Sequence, residues 1–173
     1  MENNLLIVGA GIYGVVAQEI ASETGYFNKI DFVDDFCNET INGKKVLCPF
    51  NEVYKCANEY DNIIVAIGNP EIRKQILKKI IDDGIFKLVT LISPQAYVSP
   101  SAQIEQGCII EPMAVIHTGA VIQEGCIISA GAVINHGSVC EKFVHIDCNA
   151  TVKGYTVVPQ GMKIESGQVF SNQ

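Results

Sequence analysis

The stretch VIHTGAVIQEGCIISAGAVINHGSVC, residues 115–140, repeats a six-residue pattern that decides the fold of the second half of the chain. One position in every six is apolar, and thirteen successive repeats keep this rule without an insertion. A small residue follows four positions later in most repeats, often preceded by glycine. Neither a helix nor an ordinary strand has a period of six, whereas hexapeptide periodicity is typical of a parallel β-helix. The apolar positions are Val98, Ile104, Ile110, Ile116, Ile122, Ile128, Ile134, Cys140, Ile146, Val152, Val158, Ile164 and Phe170.

Each hexad is expected to form one short strand and one corner, so that three hexads close a coil of 18 residues. The apolar side chain points inward and stacks on its equivalent in the next coil, at the strand spacing of about 4.8 Å. Glycine relieves the steric strain of the corner. We therefore predict a left-handed parallel β-helix of about four coils over residues 94–173. The left hand departs from the usual right-handed crossover and is assigned because a six-residue period is its signature.

Residues 1–93 have a different sequence pattern, in which apolar strands alternate with helical stretches. This alternation predicts a Rossmann-like α/β domain with a small parallel sheet. The last helix is expected to be amphipathic, with Ile72, Ile76 and Ile80 on one face. The predicted strands are 5–10, 29–35, 62–68 and 87–92, and the predicted helices are 11–23, 51–57 and 71–83.

The glycine-rich segment GAGIYG, residues 9–14, follows the first strand and opens the first helix, and Asp34 and Asp35 come 20 residues later. In this setting a GxGxxG segment holds a phosphate at a helix N-terminus, and the carboxylates meet ribose hydroxyls. The alternative is a plain turn without a ligand. NAD is the default ligand of the motif, but the domain is short for a dehydrogenase. The sequence therefore favours a nucleotide-linked small molecule.

Charge and composition exclude several classes of partner. The net charge of −7 disfavours nucleic acid and anionic membrane surfaces, which both need a basic footprint. No apolar run is long enough to span a membrane, and MENNLLIVGAG lacks the features of a secretory signal, so we expect a cytoplasmic protein. The seven cysteines are odd in number and form no CxxC pair, which favours reduced thiols.

Three histidines, His117, His136 and His145, lie in the repeats, and none of them fills an inward position. His136 and His145 are half a coil apart, so within one chain they should point away from each other and share a site only across a subunit interface. A zinc site is the rival interpretation. His117 and His136 are 19 residues apart, and strand alternation is expected to aim them apart. We therefore expect no metal.

Five segments together resemble hexapeptide-repeat acetyltransferases of the sialic acid O-acetyltransferase and UDP-amino-sugar N-acetyltransferase type. The likeness covers nearly the whole chain. The segments are GAGIYG (9–14), FVDD (32–35), VAIGNPEIRKQI (65–76), LISPQAYVSPSA (91–102) and INHGSVCEKFVHI (134–146).

The resemblance implies an enzyme that moves acetyl from acetyl-CoA to a nucleotide-linked amino sugar or a sialic-acid-type sugar. It implies a homotrimer, with the sugar site on the N-terminal domain and acetyl-CoA in the groove between adjacent β-helices. By the same resemblance, His136 is the general base, and His145 and Gly154 contact acetyl-CoA. The implied contacts with the nucleotide sugar are Gly11, Ile12, Tyr13, Asp34 and Asp35.

The chain departs from the family pattern at three positions. The acidic residue that usually follows the base is Gly137, an asparagine usually found seven residues before the base is Ser129, and the histidine usual in the glycine loop is Tyr13. Family members also carry further coils and a C-terminal segment that enclose CoA, whereas this sequence reaches Gln173. These departures predict a shallow groove and slow transfer. The alternative is a catalytically degenerate protein that binds a nucleotide sugar.

Overall fold

A computed structural model describes residues 3–172, and its N-terminal part is a parallel four-stranded sheet flanked by helices. The strand order β2-β1-β3-β4 is that of a small Rossmann-like domain, as predicted. The strands are β1 (Asn4–Val8), β2 (Lys29–Val33), β3 (Asn62–Val65) and β4 (Lys87–Leu88). The helices are α1 (Ile12–Thr24), a 3-10 helix (Phe50–Cys56) and α2 (Pro70–Asp83).

Helix α2 has clear local start and stop signals. The Asn69 side chain accepts hydrogen bonds from the backbone N–H groups of Glu71 and Ile72, and Pro70 occupies the first turn. Gly84 ends the helix in the left-handed conformation. Of the three isoleucines expected on one face of helix α2, Ile80 is buried, Ile76 is partly buried and Ile72 is half exposed. The helix also buries Arg73 and Leu77.

The second part is a left-handed parallel β-helix with three faces, as predicted. The first face contains β7 (Gln103–Ile104), β10 (Val121–Ile122), β13 (Val139–Cys140) and β16 (Val157–Val158). The second contains β5 (Leu91–Ile92), β8 (Ile109–Ile110), β11 (Ile127–Ile128), β14 (His145–Ile146) and β17 (Lys163–Ile164). The third contains β6 (Tyr97–Val98), β9 (Val115–Ile116), β12 (Val133–Ile134), β15 (Thr151–Val152) and β18 (Val169–Phe170).

The register confirms the coil length, because Val121 pairs with Gln103 on one side and with Val139 on the other. The inward positions from Ile110 to Val158 are fully buried and form one apolar column. Every corner of the central coils also uses a left-handed residue at a fixed place in the hexad. These residues are Gly107, Met113, Gly119, Gly125, Gly131, Gly137, Phe143, Asn149, Tyr155, Gly161 and Gly167.

The strand that we predicted over residues 87–92 is two strands that belong to different sheets. Strand β4 pairs with β3 in the N-terminal sheet, and β5 pairs with β8 in the β-helix. The other predicted strands were too long at their C-terminal ends, because the chain leaves the sheet at Gly9, Asp34 and Ala66. Within residues 3–172, neither α-helix has the length and apolar character that crossing a membrane needs.

Arg73 joins the two parts of the molecule. Its side chain is fully buried and donates to the backbone carbonyls of Ile67 and Gly68 in the N-terminal domain. It also donates to carbonyls of the β-helix at Gly125 and Phe143. Burial lowers the pKa of Arg73 to about 10. The Arg73 side chain thus donates hydrogen bonds to backbone oxygens on both sides of the junction and connects the two parts.

Candidate active site

The glycine loop after β1 is shaped by close backbone contacts. A Cβ atom on Gly14 would lie 1.9 Å from the carbonyl oxygen of Gly9, so only glycine lets α1 approach the end of the strand this closely. Asp34 fastens the loop from the neighbouring strand end, since its carboxylate accepts the N–H of Ala10 at 2.8 Å. Burial alone would raise the pKa of Asp34, but the backbone donors Ala10, Phe36 and Cys37 lower it.

A cavity of about 360 Å³ lies at the end of strand β2 and is lined by Asp34 and Asp35. Their contact with a nucleotide sugar stays a prediction. Asp35 also accepts the N–H of Phe50 at 2.7 Å, directly after Pro49, which lines the cavity. Gly11 and Ile12 are exposed at the start of α1. The geometry suits a polar ligand that lies along the carboxyl ends of parallel strands.

Tyr13, the next residue of the loop, contacts the β-helix at His145. The two rings meet edge to face at 5.4 Å, and the Tyr13 hydroxyl lies 3.4 Å from Nε2 of His145. The Ser129 hydroxyl lies 3.2 Å from the same nitrogen. On the other side of the ring, Nδ1 is 3.2 Å from the carbonyl oxygen of Gly68. Since a carbonyl oxygen only accepts, Nδ1 carries the hydrogen and Nε2 accepts from the hydroxyls.

His145 is held in its neutral form. It is only 1 % exposed, and burial together with the charge of Arg73 lowers its pKa to about 4. Asp147, which pairs with Lys163 at 3.1 Å, opposes this shift. His145 therefore lies at the domain junction, under Tyr13 of its own chain. Its contact with acetyl-CoA stays a prediction.

His136 lies in a separate cluster at an exposed corner. Its Nδ1 atom is 2.8 Å from Oδ1 of Asn135, and its ring meets the ring of Tyr155 edge to face at 5.0 Å. Gly154 passes directly beneath the other nitrogen, since a Cβ atom there would lie 2.8 Å from Nε2. The predicted contact of Gly154 with acetyl-CoA stays a prediction.

The prediction that His117 and His136 aim apart was wrong. Their ring centroids are 6.3 Å apart in an edge-to-face arrangement. Alternation holds only within strands, and both residues lie beyond the strand ends, which are Ile116 in β9 and Ile134 in β12. Among the described residues 3–172, no group of three or more histidine, cysteine or acidic side chains is placed to hold a metal ion.

Gly137 occupies a corner that is closed to side chains. Its φ is +63°, in the left-handed region, and a Cβ atom would lie 2.7 Å from the ring of Tyr155. Tyr155 is the residue at the equivalent corner one coil later, and it has a left-handed backbone itself. The Tyr155 ring thus occupies the position that the Cβ atom of an acidic side chain at residue 137 would need.

Two residues of the site were missed by the sequence analysis. The sequence could have suggested Asn135, because a carboxamide directly before the predicted base is a possible hydrogen-bond partner of its ring. Arg73 gave none, since a charged residue in an amphipathic helix is ordinarily exposed. Its burial follows from the β-helix carbonyls that face it, which no local pattern reveals.

Comparison with known proteins agrees with both halves of this architecture. A family model described as the PglD N-terminal domain matches residues 4–80, and one described as the bacterial transferase hexapeptide (six repeats) matches residues 101–136. The acetyltransferase domain of PglB from Neisseria gonorrhoeae FA1090 is 34 % identical over 97 % of this chain and 82 % of that chain, with a TM-score of 0.91.

The same PglB domain has been solved in complex with acetyl coenzyme A. That structure matches with a TM-score of 0.92 and 34 % identity, over 98 % of this chain and 82 % of that chain. A mutant of perosamine N-acetyltransferase from Caulobacter crescentus, in complex with CoA and GDP-perosamine, is 21 % identical. It covers 93 % of this chain and 90 % of its own, with a TM-score of 0.65, and this likeness is one of fold.

Proposed function

Because the chain belongs to the family of hexapeptide-repeat acetyltransferases with a PglD-type N-terminal domain, we propose that it transfers acetyl from acetyl-CoA to a nucleotide-linked amino sugar or a sialic-acid-type sugar. In this proposal the nucleotide sugar binds along Gly11, Ile12 and Tyr13 and in the cavity beside Asp34 and Asp35. The 34 % identity to a domain solved with acetyl coenzyme A supports the choice of acetyl donor.

We propose His136 as the general base. The amine or hydroxyl of the acceptor attacks the carbonyl carbon of the thioester, and His136 takes the proton that this group loses. Collapse of the tetrahedral intermediate breaks the carbon–sulfur bond. The proton on the imidazole then passes to the leaving thiolate, so that CoA leaves as the thiol and the base is regenerated.

The observation that carries this role is the exposure of His136 together with its hydrogen bond to Asn135. Because Nδ1 is bonded to Asn135, Nε2 is the ring nitrogen left to accept a proton from a substrate. An exposed base in a single chain needs a second wall to hold its substrates and to exclude water. We propose that a neighbouring β-helix of a homotrimer supplies this wall and that acetyl-CoA lies in the groove between them, as the resemblance implies.

The test is acetyl transfer by the His136→Ala variant. Wild-type protein is mixed with acetyl-CoA and a panel of UDP- and GDP-linked amino sugars, and free CoA thiol is measured together with the mass of the acetylated sugar. Loss of a general base is expected to lower kcat by about 10²-fold or more. Thr118→Ala, at the same hexad position one coil earlier, serves as the control and should keep the rate. Equal turnover in His136→Ala and wild type would remove His136 from this role.

A second candidate is a nucleotide-sugar-binding protein without acetyl transfer. The closed corner at Gly137 favours it, because no acidic residue stands after the base. Calorimetric titration separates the two functions. Saturable binding of acetyl-CoA supports the enzyme, whereas binding of a nucleotide sugar without any binding of acetyl-CoA supports the second candidate.

A further inference from the structure

We infer that Asn135 is the positioning residue of the proposed base, in the role for which family members use an acidic residue at the following position. The inference deepens the proposed function and rests on it. It concerns how this chain presents His136 to its substrates, with Gly137 in place of the usual acid.

The hydrogen-bond pattern fixes the identity of the acceptor atom. Oδ1 of Asn135 lies 2.9 Å from the backbone nitrogen of His136 and 2.8 Å from Nδ1 of the same residue. A backbone N–H only donates, so the atom between these two nitrogens must be the carboxamide oxygen rather than its nitrogen. One oxygen therefore accepts twice from a single histidine.

This bond sets the tautomer of the imidazole. An oxygen acceptor at Nδ1 requires that Nδ1 carry the hydrogen, which leaves the lone pair of the neutral ring on Nε2. Nε2 lies close to Gly154, since a Cβ atom there would be 2.8 Å from it, and the ring can take this position only because residue 154 has no side chain. Asn135 thus places the lone pair on Nε2, and Gly154 lets the ring pack in this orientation.

The backbone and surroundings of position 137 explain why Asn135, and not the residue after the base, orients the His136 ring. Position 137 cannot carry an acid without displacing the Tyr155 ring, and its left-handed backbone disfavours any side chain. Asn135 has no such constraint, because it directly follows strand β12 and lies in front of the ring. A neutral carboxamide orients the imidazole as a carboxylate does, but it adds no negative charge to stabilise the imidazolium.

Asn135 therefore orients the His136 ring but supplies no negative charge to stabilise its protonated form. Replacing the carboxamide with a carboxylate, Asn135→Asp, keeps the acceptor and adds the missing charge, which favours the protonated ring. Replacing it with an apolar side chain of similar size, Asn135→Leu, removes the acceptor and frees the ring to carry its hydrogen on Nε2. The titratable side chains whose rings lie against His136, His117 and Tyr155, are unchanged in both variants.

The first measurement reads the tautomer directly and needs no turnover. The ¹⁵N chemical shifts of the His136 ring, recorded at a pH where the ring is neutral, should show hydrogen on Nδ1 in the wild type. Asn135→Leu should shift the ring towards the Nε2–H form. A wild-type ring with its hydrogen on Nε2, or a tautomer that is unchanged in Asn135→Leu, would overturn the inference whatever the activity.

The second measurement is the pH dependence of kcat/KM for CoA release with the UDP- and GDP-linked panel. Asn135→Leu is expected to lower kcat/KM by roughly ten- to a hundredfold, since the ring loses its fixed orientation. In Asn135→Asp the acid limb of the profile should move by about one unit to higher pH. Asn58→Asp makes the same change at an exposed position of the N-terminal domain and should leave the profile in place.

The outcomes keep the two proposals apart. If the wild type shows no turnover with any donor–acceptor pair, the proposed function is refuted. The ring tautomer still tests whether Asn135 orients His136. Turnover that is equal in wild type, Asn135→Leu and Asn135→Asp refutes the positioning role and leaves acetyl transfer standing.

Discussion

Gly154→Ala is the substitution that most sharply probes the geometry of the proposed base. The new methyl carbon would lie 2.8 Å from Nε2 and 3.0 Å from Cε1 of His136. Comfortable contact needs about 3.5 Å, so the ring must move by roughly 0.7 Å or turn away. A misplacement of about 1 Å in an active site costs on the order of 10²-fold in rate, which corresponds to about 2.7 kcal/mol in the barrier.

The same substitution should leave the fold intact. The backbone of Gly154 lies outside the left-handed region, and the exposed ring of His136 is free to give way. Replacement of glycine by alanine at such a position stabilises a protein by about 0.4–1 kcal/mol, which offsets part of the contact. We therefore expect the free energy of unfolding to change little while kcat falls by one to two orders of magnitude.

The assay is steady-state CoA release at varied acetyl-CoA, which separates kcat from KM. Gly167→Ala is the matched control, because no atom lies within 4 Å of its new methyl group. Its φ of +70° makes this control cost about 1–2 kcal/mol of stability, so it tests whether stability alone lowers activity. If Gly154→Ala keeps kcat within about threefold of the wild type, Nε2 of His136 is not the proton acceptor.

Two further predictions concern the domain junction. His145 has a folded-state pKa of about 4, below the value of about 6.5 for an exposed histidine, so protonation favours the unfolded chain. The free energy of unfolding should fall by about 3 kcal/mol as the pH drops from 6.5 towards 4, and urea titrations of His145→Gln should lack this part of the slope. An unchanged slope in His145→Gln would contradict the account. Arg73→Met leaves buried carbonyl oxygens of both domains without a donor and should cost about 3 kcal/mol or more. Lys78→Met, at an exposed position of the same helix, should change the urea midpoint little, and equal effects of the two variants would argue against the buried network.

The β-helix was predictable because its physics is local and repeated. Each hexad contains its own inward side chain and its own corner residue, so a period of six fixes the coil length without any long-range information. Left-handed corners explain the recurrent glycine. Met113, Phe143, Asn149 and Tyr155 occupy the same slot, and this shows that the repeat tolerates a strained residue when the rest of the coil determines the backbone.

The parts that the sequence did not reveal depend on contacts between coils and between domains. The approach of His117 to His136 is set by corner geometry, where the alternation rule for strands does not apply. The burial of Arg73 and of His145 depends on how the N-terminal domain docks on the second face of the β-helix. The hydrogen bond from His136 to Asn135 joins neighbours in sequence, but the sequence alone does not show that the carboxamide folds back onto the ring.

A crystal structure of the protein soaked with acetyl-CoA would show whether His136 meets the thioester across a subunit boundary. We expect a threefold assembly with the donor in the groove between two chains and with the thioester next to Nε2 of His136. Acetyl-CoA bound far from His136, or a chain that stays monomeric with its donor held elsewhere, would contradict this expectation.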